Sequence, residues 1–493
     1  MNIGKNIANM ATNNGKSPEH SQTSKQSLSD SNVVKTKYFG TDGFRGEANV
    51  DLTSEHAYKI GRFLGWYYGK TNDNIITKSK PRILIGKDTR RSSYMLEYSI
   101  AAGITASGAD AYMLHVTTTP SVSYVTRIDD FDCGIMITAS HNPFQDNGIK
   151  IINRYGEKLE DNVVTQIESY LDGDLHSINV KDNDIPLATK ESIGFIVDYV
   201  AGRNRYVGYL ISLASHSYKN LKIGLDCANG ASWTIAKAVF DALGAQTYVI
   251  GNEPNGLNIN EGVGSTHIER LSNYVTENKL DVGFAFDGDA DRCIAVDESG
   301  NVIDGDKIIY ILANRLKSRA NLHNDTVALT VMSNMGLIKA LNAKGIKCEL
   351  TAVGDRFVYQ KMQEGGYTLG GEQSGHIIIR KYATTGDAIL TAIMLTEEVM
   401  DRKCKISQLC EDVVIFPQLT ESVKVKNKRA VLEDATISEA LSSVENELAE
   451  NGRVIIRPSG TEPVIRIMIE SSSRNACSKY MEYLKNIIIE RGI

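Results

Sequence analysis

The sequence predicts an α/β protein: three related α/β sandwich domains with mixed or parallel sheets, followed by a smaller C-terminal α+β domain, all facing one cleft. Two observations carry this. From Tyr38 onward, a plan of strand, helix, Gly-led strand, helix and strand recurs three times, and after about Phe416 the order changes to strand, helix, two strands around a loop, and helix. Strands that alternate with helices stack into parallel sheets covered on both faces, and the working loops of such sheets gather at the carboxyl ends of the strands.

The first pass of the plan runs from "RILIGKDTR" at 82 through "GADAYMLHV" to "CGIMITASHNP". The second runs from "LKIGLDCANG" at 221 through "GAQTYVIG" to "DVGFAFDGDADR", and the third from "TVALTVMSNMG" at 326 through "GIKCELTAVG" to "YTLGGEQSGH". Each pass closes on an unusual loop: "TASHNP" (138–143), "DGDADR" (287–292) and "GEQSGH" (371–376). The same placement in three repeats points to one shared cleft. The expected boundaries are 37–190, 191–303 and 304–413 for the repeats and 414–493 for the α+β domain. In that last domain "ESVKVK" leads to the helix "TISEALSSVENELAEN", then "RVIIRPSGTEPVIRIMIE" sets two strands around a fourth loop.

Residues 1–36 precede this plan. They are rich in Asn, Ser and Lys, carry little aliphatic density, and read as a disordered tail. They hold neither the apolar core of a secretory signal nor the arginines of a transit peptide. No run of about 18 apolar residues occurs, so a membrane-spanning helix is not expected. The 493 residues suit three or four domains. The charge balance, 54 basic against 60 acidic residues for a net of −6, argues against nucleic acid as a whole-surface partner. Seven scattered cysteines with no Cys-x-x-Cys pair fit reduced thiols in the cytoplasm.

The loops differ in chemistry. "DGDADR" offers Asp287, Asp289 and Asp291 at alternate positions, a spacing that lets three carboxylates converge on one hard cation such as Mg²⁺. An EF-hand calcium loop nearly fits, with Glu298 at the twelfth position. However, Arg292 stands where the turn wants Gly, and the flanks "VGFAF" and "CIAV" are strand-like. A merely solvated acidic turn would leave three carboxylates repelling one another. In "RPSGTEP" the prolines exclude helix, while Arg457, Ser459, Gly460 and Thr461 supply a guanidinium fork, hydroxyls and close-approaching backbone N–H groups, which suit a phosphate monoester. An ordinary hairpin turn would be the preferred reading if that loop stood alone. "GEQSGH" carries Glu372, Gln373, Ser374 and His376, a set able to fix the hydroxyls or amine of a sugar, although His376 alone would be read as structural. Arg45 in "FGTDGFRG" (39–46) could reach an anion, and Lys150 in "DNGIK" would, by itself, be solvated surface.

Ser140 stands beside His141, which looks like a nucleophile with its base. In an extended segment neighbouring side chains point to opposite faces, so His141 is not expected to take the proton from Ser140. No Gly-x-Ser-x-Gly elbow is present. A serine that carries a phosphoryl group would use both the carboxylate triad and the anion loop, whereas an acyl carrier would use neither. Phosphoryl transfer is the favoured chemistry.

"TASHNP", "DGDADR", "GEQSGH" and "RPSGTEP", in this order, resemble the four active-site loops of the α-D-phosphohexomutases, a likeness that covers the chain from about residue 38 to the C-terminus. The resemblance implies three related α/β domains and a fourth α+β domain around a central active-site cleft. "FGTDGFRG", "EPNGLNIN" (253–260), "TVMSNMG" (330–336), "AVGDRFV" (352–358) and Gln373 resemble the branch of the family that acts on glucosamine phosphates. The implied reaction interconverts glucosamine 6-phosphate and glucosamine 1-phosphate through a phosphoserine and a glucosamine 1,6-bisphosphate intermediate, feeding UDP-N-acetylglucosamine and cell-wall precursor synthesis. By the same resemblance Ser140 becomes the phosphoserine, its phosphate joining Asp287, Asp289 and Asp291 around one Mg²⁺. Arg292 lies beside the reacting phosphoryl group, and Asp355, Arg356, Glu372, Gln373 and Ser374 face the sugar. Arg457, Ser459, Gly460 and Thr461 grip the other phosphate. Lys150, Arg45 and His376 are candidates for proton transfer or charge stabilisation, and His141 contacts a phosphate or shapes its loop. The expected partners are small hexosamine phosphates, with no nucleic acid or membrane, and the chain is expected to be a monomer or homodimer. Glucose or mannose phosphates are the alternative substrates, while a metal-dependent phosphatase and a non-catalytic sensor are more distant readings.

Overall fold

The structure, a computed structural model, describes residues 36–71, 80–458 and 463–492. Residues 1–35 of the expected tail, and Ser459, Gly460 and Thr461 of the fourth loop, lie outside the described residues.

Each repeat forms one sheet. In the first, the strands run in the order Phe39–Gly40, Gly43–Glu47, Asp146–Asn153, Cys133–Ile137, Arg82–Lys87, Asp110–Val116 and Ile196–Asp198. The second has Val302–Ile303, Cys293–Asp297, Val282–Phe286, Lys222–Asp226 and Gln246–Ile250, and the third has Lys347–Thr351, Thr326–Thr330, Leu369–Gly371 and Ile377–Ile379. One arrangement recurs. The first strand of each repeat lies parallel between the second and the third. The third strand then turns back into an antiparallel neighbour, at 146–153, 293–297 or 377–379.

These return strands lie outside the three-strand plan read from the sequence, and they make the sheets mixed. They also change what the unusual loops are. "TASHNP", "DGDADR" and "GEQSGH" each connect two hydrogen-bonded strands, so each loop is anchored at both ends. The central strands Cys133–Ile137, Val282–Phe286 and Thr326–Thr330 are buried along their whole length. This is why they read as unbroken apolar runs instead of alternating ones.

One apolar core runs through all three repeats, from Leu84 and Phe131 through Tyr206, Phe240 and Phe284 to Leu329 and Leu395. The helix Ala388–Arg402 shows how they are joined. Asp387 caps it by accepting from the Leu390 N–H at 2.9 Å, and it is buried on nearly every side from Ala388 to Glu398. It belongs to the third repeat yet packs on strands 282–286 and 293–297 of the second. Each fully buried Ile or Leu along it contributes roughly 1.5–3 kcal/mol, so the repeats hold together as one block.

The last domain is a three-stranded antiparallel sheet in the order Gln418–Lys424, Val464–Ser471, Gly452–Pro458, covered by helices Ala435–Leu448 and Arg474–Arg491. Its core of Val423, Ile437, Val444, Ile467 and Leu484 is separate from the first. Among the described residues, no helix is long and apolar enough to cross a membrane.

Candidate active site

The "TASHNP" and "DGDADR" loops meet back to back. A side-chain carbon at Gly288 would stand 2.5 Å from the Ser140 carbonyl oxygen, so only glycine permits this approach. Both loops hold a non-glycine residue in the left-handed region, Ser140 at φ +52° and Ala290 at φ +57°. Such a residue costs roughly 1–2 kcal/mol and persists only where its surroundings hold it.

The turn at Ser140 overrides the extended geometry assumed for this segment. Ser140 Oγ comes to 3.4 Å from His141 Nδ1, because a left-handed residue does not send successive side chains to opposite faces. The serine nevertheless has a better partner: Oγ donates to Asp287 Oδ2 at 2.5 Å. Burial, with Arg292 and Arg45 nearby, depresses the His141 pKa to about 4, so the imidazole is neutral near pH 7.

Asp287, Asp289 and Asp291 are buried, and one carboxylate oxygen from each lies within 4.8 Å of the others. Burial and the charges of Asp291 and Asp289 push the Asp287 carboxyl well up. Burial opposes the charge of Asp291, but Lys150, a hydrogen bond from His376 and the charge of Arg292 hold its carboxyl well down. Asp289 Oδ1 and Asp291 Oδ1 are buried without a hydrogen-bond partner among the described residues. Crowded carboxylates with idle inward oxygens are the donor set of a hard cation, so the triad fits a metal site. The trio His216, Glu397 and Asp401 also clusters, but its carboxylates are occupied by the Ser215 and His216 amides, the Tyr218 hydroxyl, Arg315 and Arg319, and it needs no ion.

Lys150 is not solvated surface. Its strand pairs with Cys133–Ile137, which carries the ammonium inward to Asp289 at 2.9 Å, Asp291 at 3.1 Å and Asp42 at 3.1 Å. Burial opposes its charge, but the three carboxylates prevail and raise its pKa well above the usual lysine value. Arg45 lies in the same place, ion-paired with Asp42. Arg292 is largely buried, with its Nε 4.0 Å from Asp291 Oδ1, and its backbone N–H donates to Asp287 Oδ1 at 3.1 Å.

The "GEQSGH" loop reaches the metal loop through a bridge between His376 and Arg292. His376 Nδ1 lies 3.7 Å from Asp291, and Nε2 accepts the Gly386 N–H at 3.0 Å. That amide requires a neutral ring protonated at Nδ1. Burial disfavours the charged ring, yet Asp291, Asp355 and Glu372 raise the pKa to about 9. The hydrogen bond is the firmer guide, because a cation among the carboxylates would cancel most of their pull. Glu372 Oε1 accepts the Gly354 N–H at 3.1 Å, Gln373 Nε2 donates to Asp304 at 3.2 Å, and Ser374 is exposed. Asp355 binds Lys158 at 2.8 Å and faces His376 at 3.6 Å. Arg356, expected at the sugar, forms an ion pair with Asp161 of the first repeat.

In the last domain Arg457 stands directly across from Arg466 on the neighbouring strand. Burial and the charge of Arg466 lower the Arg457 pKa. Like charges directly opposite each other on paired strands are destabilising.

Several residues of the site carried no signal as single positions. Thr119 donates to Asp289 from the start of a helix, Asp42 and Lys158 join at 3.0 Å, and Arg90 and Asn260 lie behind Ser140. Asp42 could have been found as the acidic member of "FGTDGFRG", and Asn260 as the last residue of "EPNGLNIN".

The chain matches family models described as phosphoglucomutase/phosphomannomutase alpha/beta/alpha domain I (residues 36–176), domain II (204–300), domain III (304–415) and C-terminal domain (422–487). A phosphoglucosamine mutase of Lachnospira eligens is 58% identical over 456 residues, 92% of this chain and 99% of that relative. Another, from Bacillus licheniformis, is 46% identical over 92% of this chain and 98% of its own. A phosphoglucomutase/phosphomannomutase family protein from Burkholderia thailandensis shares the fold with a TM-score of 0.73 at 21% identity, covering 92% of this chain and 96% of that one. So does the N-acetylphosphoglucosamine mutase of Aspergillus fumigatus, solved with GlcNAc-6P and magnesium, with a TM-score of 0.60 at 16% identity over 93% and 96%.

Proposed function

The chain belongs to the α-D-phosphohexomutase family, and from this premise we propose that it interconverts glucosamine 6-phosphate and glucosamine 1-phosphate, as phosphoglucosamine mutases do. The relatives of that name, 44–58% identical over most of the chain, support the amino-sugar substrate. The observation that carries the mechanism is the buried Ser140 hydroxyl, 2.5 Å from a carboxylate of the metal triad.

In this reading Ser140 carries the phosphoryl group. The Oγ–P bond breaks as the sugar 1-oxygen takes the phosphorus, giving glucosamine 1,6-bisphosphate, and the 6-phosphoryl group then returns to Ser140. Asp287, Asp289 and Asp291 would hold Mg²⁺, which would supply Lewis-acid stabilisation of the charge on the phosphoryl oxygens. Lys150, with its ammonium 2.9 Å from Asp289 and 3.1 Å from Asp291, would place positive charge beside those oxygens, with Arg292 and Arg45 close by. His141, kept neutral, has a lone pair available at the same place. Glu372, Gln373 and Ser374 would fix the sugar, and Arg457 with its loop would grip the phosphate that is not reacting. The intermediate must present either end to one serine, so a fourth domain able to open and close around it suits the task.

Intact-protein mass spectrometry with coupled assays tests this. A fraction of the wild-type protein is expected to be heavier by one phosphoryl group, and both this mass and mutase turnover are expected to vanish in Ser140→Ala. Glucosamine 6-phosphate should be favoured over the glucose and mannose phosphates by about tenfold or more in kcat/KM. Full turnover by Ser140→Ala would remove the phosphoserine route, and a clear preference for glucose or mannose would move the chain to the other branch.

A further inference from the structure

Behind Ser140 lies Arg90, a fully buried arginine to which the mechanism above gives no part. It closes the polar stretch "KDTR" and immediately precedes the helix Arg91–Ala106. A guanidinium has five N–H donors in one plane, and each of the five meets an oxygen here. Nε donates to Asp88 Oδ2 at 2.8 Å. Nη1 donates to the carbonyls of Pro143 and, at 3.0 Å, Asp146. Nη2 donates to the carbonyls of Ser140 at 3.0 Å and Asn142 at 2.9 Å. Asp88, itself buried, also accepts from the Arg90 backbone N–H at 3.0 Å and from Ser93 Oγ at 2.8 Å, which fixes the plane of the fork.

The second repeat grips the same two carbonyls. Asn260, at the end of "EPNGLNIN", donates from Nδ2 to Ser140 O at 2.9 Å and Asn142 O at 3.0 Å. On the other side of the serine, its own N–H donates to Thr138 Oγ1 at 2.9 Å. A left-handed serine is held only when its neighbours over-determine it, and these contacts do so from two domains.

We propose that Arg90 is the positioning residue of the phosphate carrier, with Asn260 as its second support. The guanidinium locks the carbonyl of the serine and those of Asn142, Pro143 and Asp146 after it, and this lock aims Ser140 Oγ at Asp287 and the incoming phosphoryl group. Arg90 touches neither substrate nor metal ligand, and the proposal rests on the phosphoserine reading above. Lysine cannot replace it. A lysine carries one ammonium with three donors and cannot reach four carbonyls and a carboxylate arranged around a plane.

The test compares wild type, Arg90→Lys and Asn260→Ala as full-length proteins with glucosamine 6-phosphate and Mg²⁺. Misplacing a reacting group by about 1 Å costs on the order of a hundredfold. Arg90→Lys is therefore expected to lose about that much kcat with KM held within about threefold, because the groups that grip the sugar phosphate are untouched. Asn260→Ala, which keeps the guanidinium, should lose about tenfold in kcat, again at constant KM. Hydrogen–deuterium exchange of the peptide spanning 138–146 should quicken in both variants, while the strands of the last domain exchange as in wild type. Arg90→Lys with wild-type kcat, or a loss carried by KM, overturns the proposal. If Arg90→Lys does not fold, Asn260→Ala decides alone: unchanged kcat and exchange overturn the proposal. A wild-type protein without turnover or phosphoserine would instead refute the functional reading, and the exchange data would still decide whether the clamp exists.

Discussion

The first three repeats and the last domain are attached to the molecule in different ways. The repeats share one apolar core, crossed by the helix Ala388–Arg402, and their loops interlock through buried ion pairs such as Lys150 with Asp289. The last domain keeps its own core and meets the third repeat along a polar seam. There the buried Glu470 accepts from the Met335 N–H at 2.6 Å and from Arg453 Nε at 2.7 Å, and Asn334 Nδ2 donates to the Phe416 carbonyl at 2.9 Å. Separating an apolar core exposes its whole area, whereas a polar seam can exchange its bonds for water at a net cost of about 1 kcal/mol each. The repeats therefore form a firmly joined platform, and the last domain is the part held to it by bonds that water can replace. Chemistry belongs on the platform, and a grip that must release and rebind belongs on the part held less firmly.

This division predicts different kinetic signatures, and the largest should come from the platform. Asp289→Asn leaves the loop's shape but removes a charge from the triad. The loss of several kcal/mol of transition-state stabilisation is expected to lower kcat by about a hundred- to a thousandfold at saturating Mg²⁺. Retained kcat with only a weaker Mg²⁺ requirement would show that the triad holds the ion without contributing to the chemistry. In the last domain, Arg457→Ala removes a charge-assisted contact to the phosphate that is not reacting, and that contact is the same in ground and transition states. KM is expected to rise about ten- to a hundredfold, with kcat changed by no more than a few-fold. If kcat falls more than KM rises, the separation of grip from chemistry fails.

The same contrast governs how much could be read in advance. The repeats were legible because strand and helix leave periodic marks, and because each unusual loop closes a pass of the plan. The return strands were not, since a single antiparallel strand beside a loop carries no marker that separates it from the next helix. Lys150 was singled out only through the family resemblance, because its carboxylates, Asp42, Asp289 and Asp291, are distant in sequence and only the sheets bring them together. The opposite-face geometry expected for Ser140 and His141 failed for a related reason. The backbone angle at Ser140 is imposed by Arg90 and Asn260, and local sequence alone would make the segment extended. Residue types were readable, while the burial and long-range pairing that decide their charge were not.

The last expected effect concerns stability and not turnover, at a carboxyl beside the seam. Asp306, in the first turn of the helix Gly305–Ser318, is fully buried and accepts the Asn334 N–H at 2.8 Å. Burial, with the charges of Asp304 and Glu470, pushes its carboxyl up to about 7. In the unfolded chain the same group titrates near the usual value of about 3.9. Between these values the folded state holds the extra proton, so stability is greatest at the acid end and falls as pH rises from about 4 to about 7, by up to about 1.4 kcal/mol per pH unit from this group, and then levels off. Asp306→Asn keeps an acceptor for Asn334 and cannot ionise. Relative to wild type, its thermal midpoint should therefore be higher at pH 8 than at pH 5. An equal difference at both pH values would mean that Asp306 is as ionised in the fold as out of it, and that the seam tolerates a buried charge as readily as the platform does.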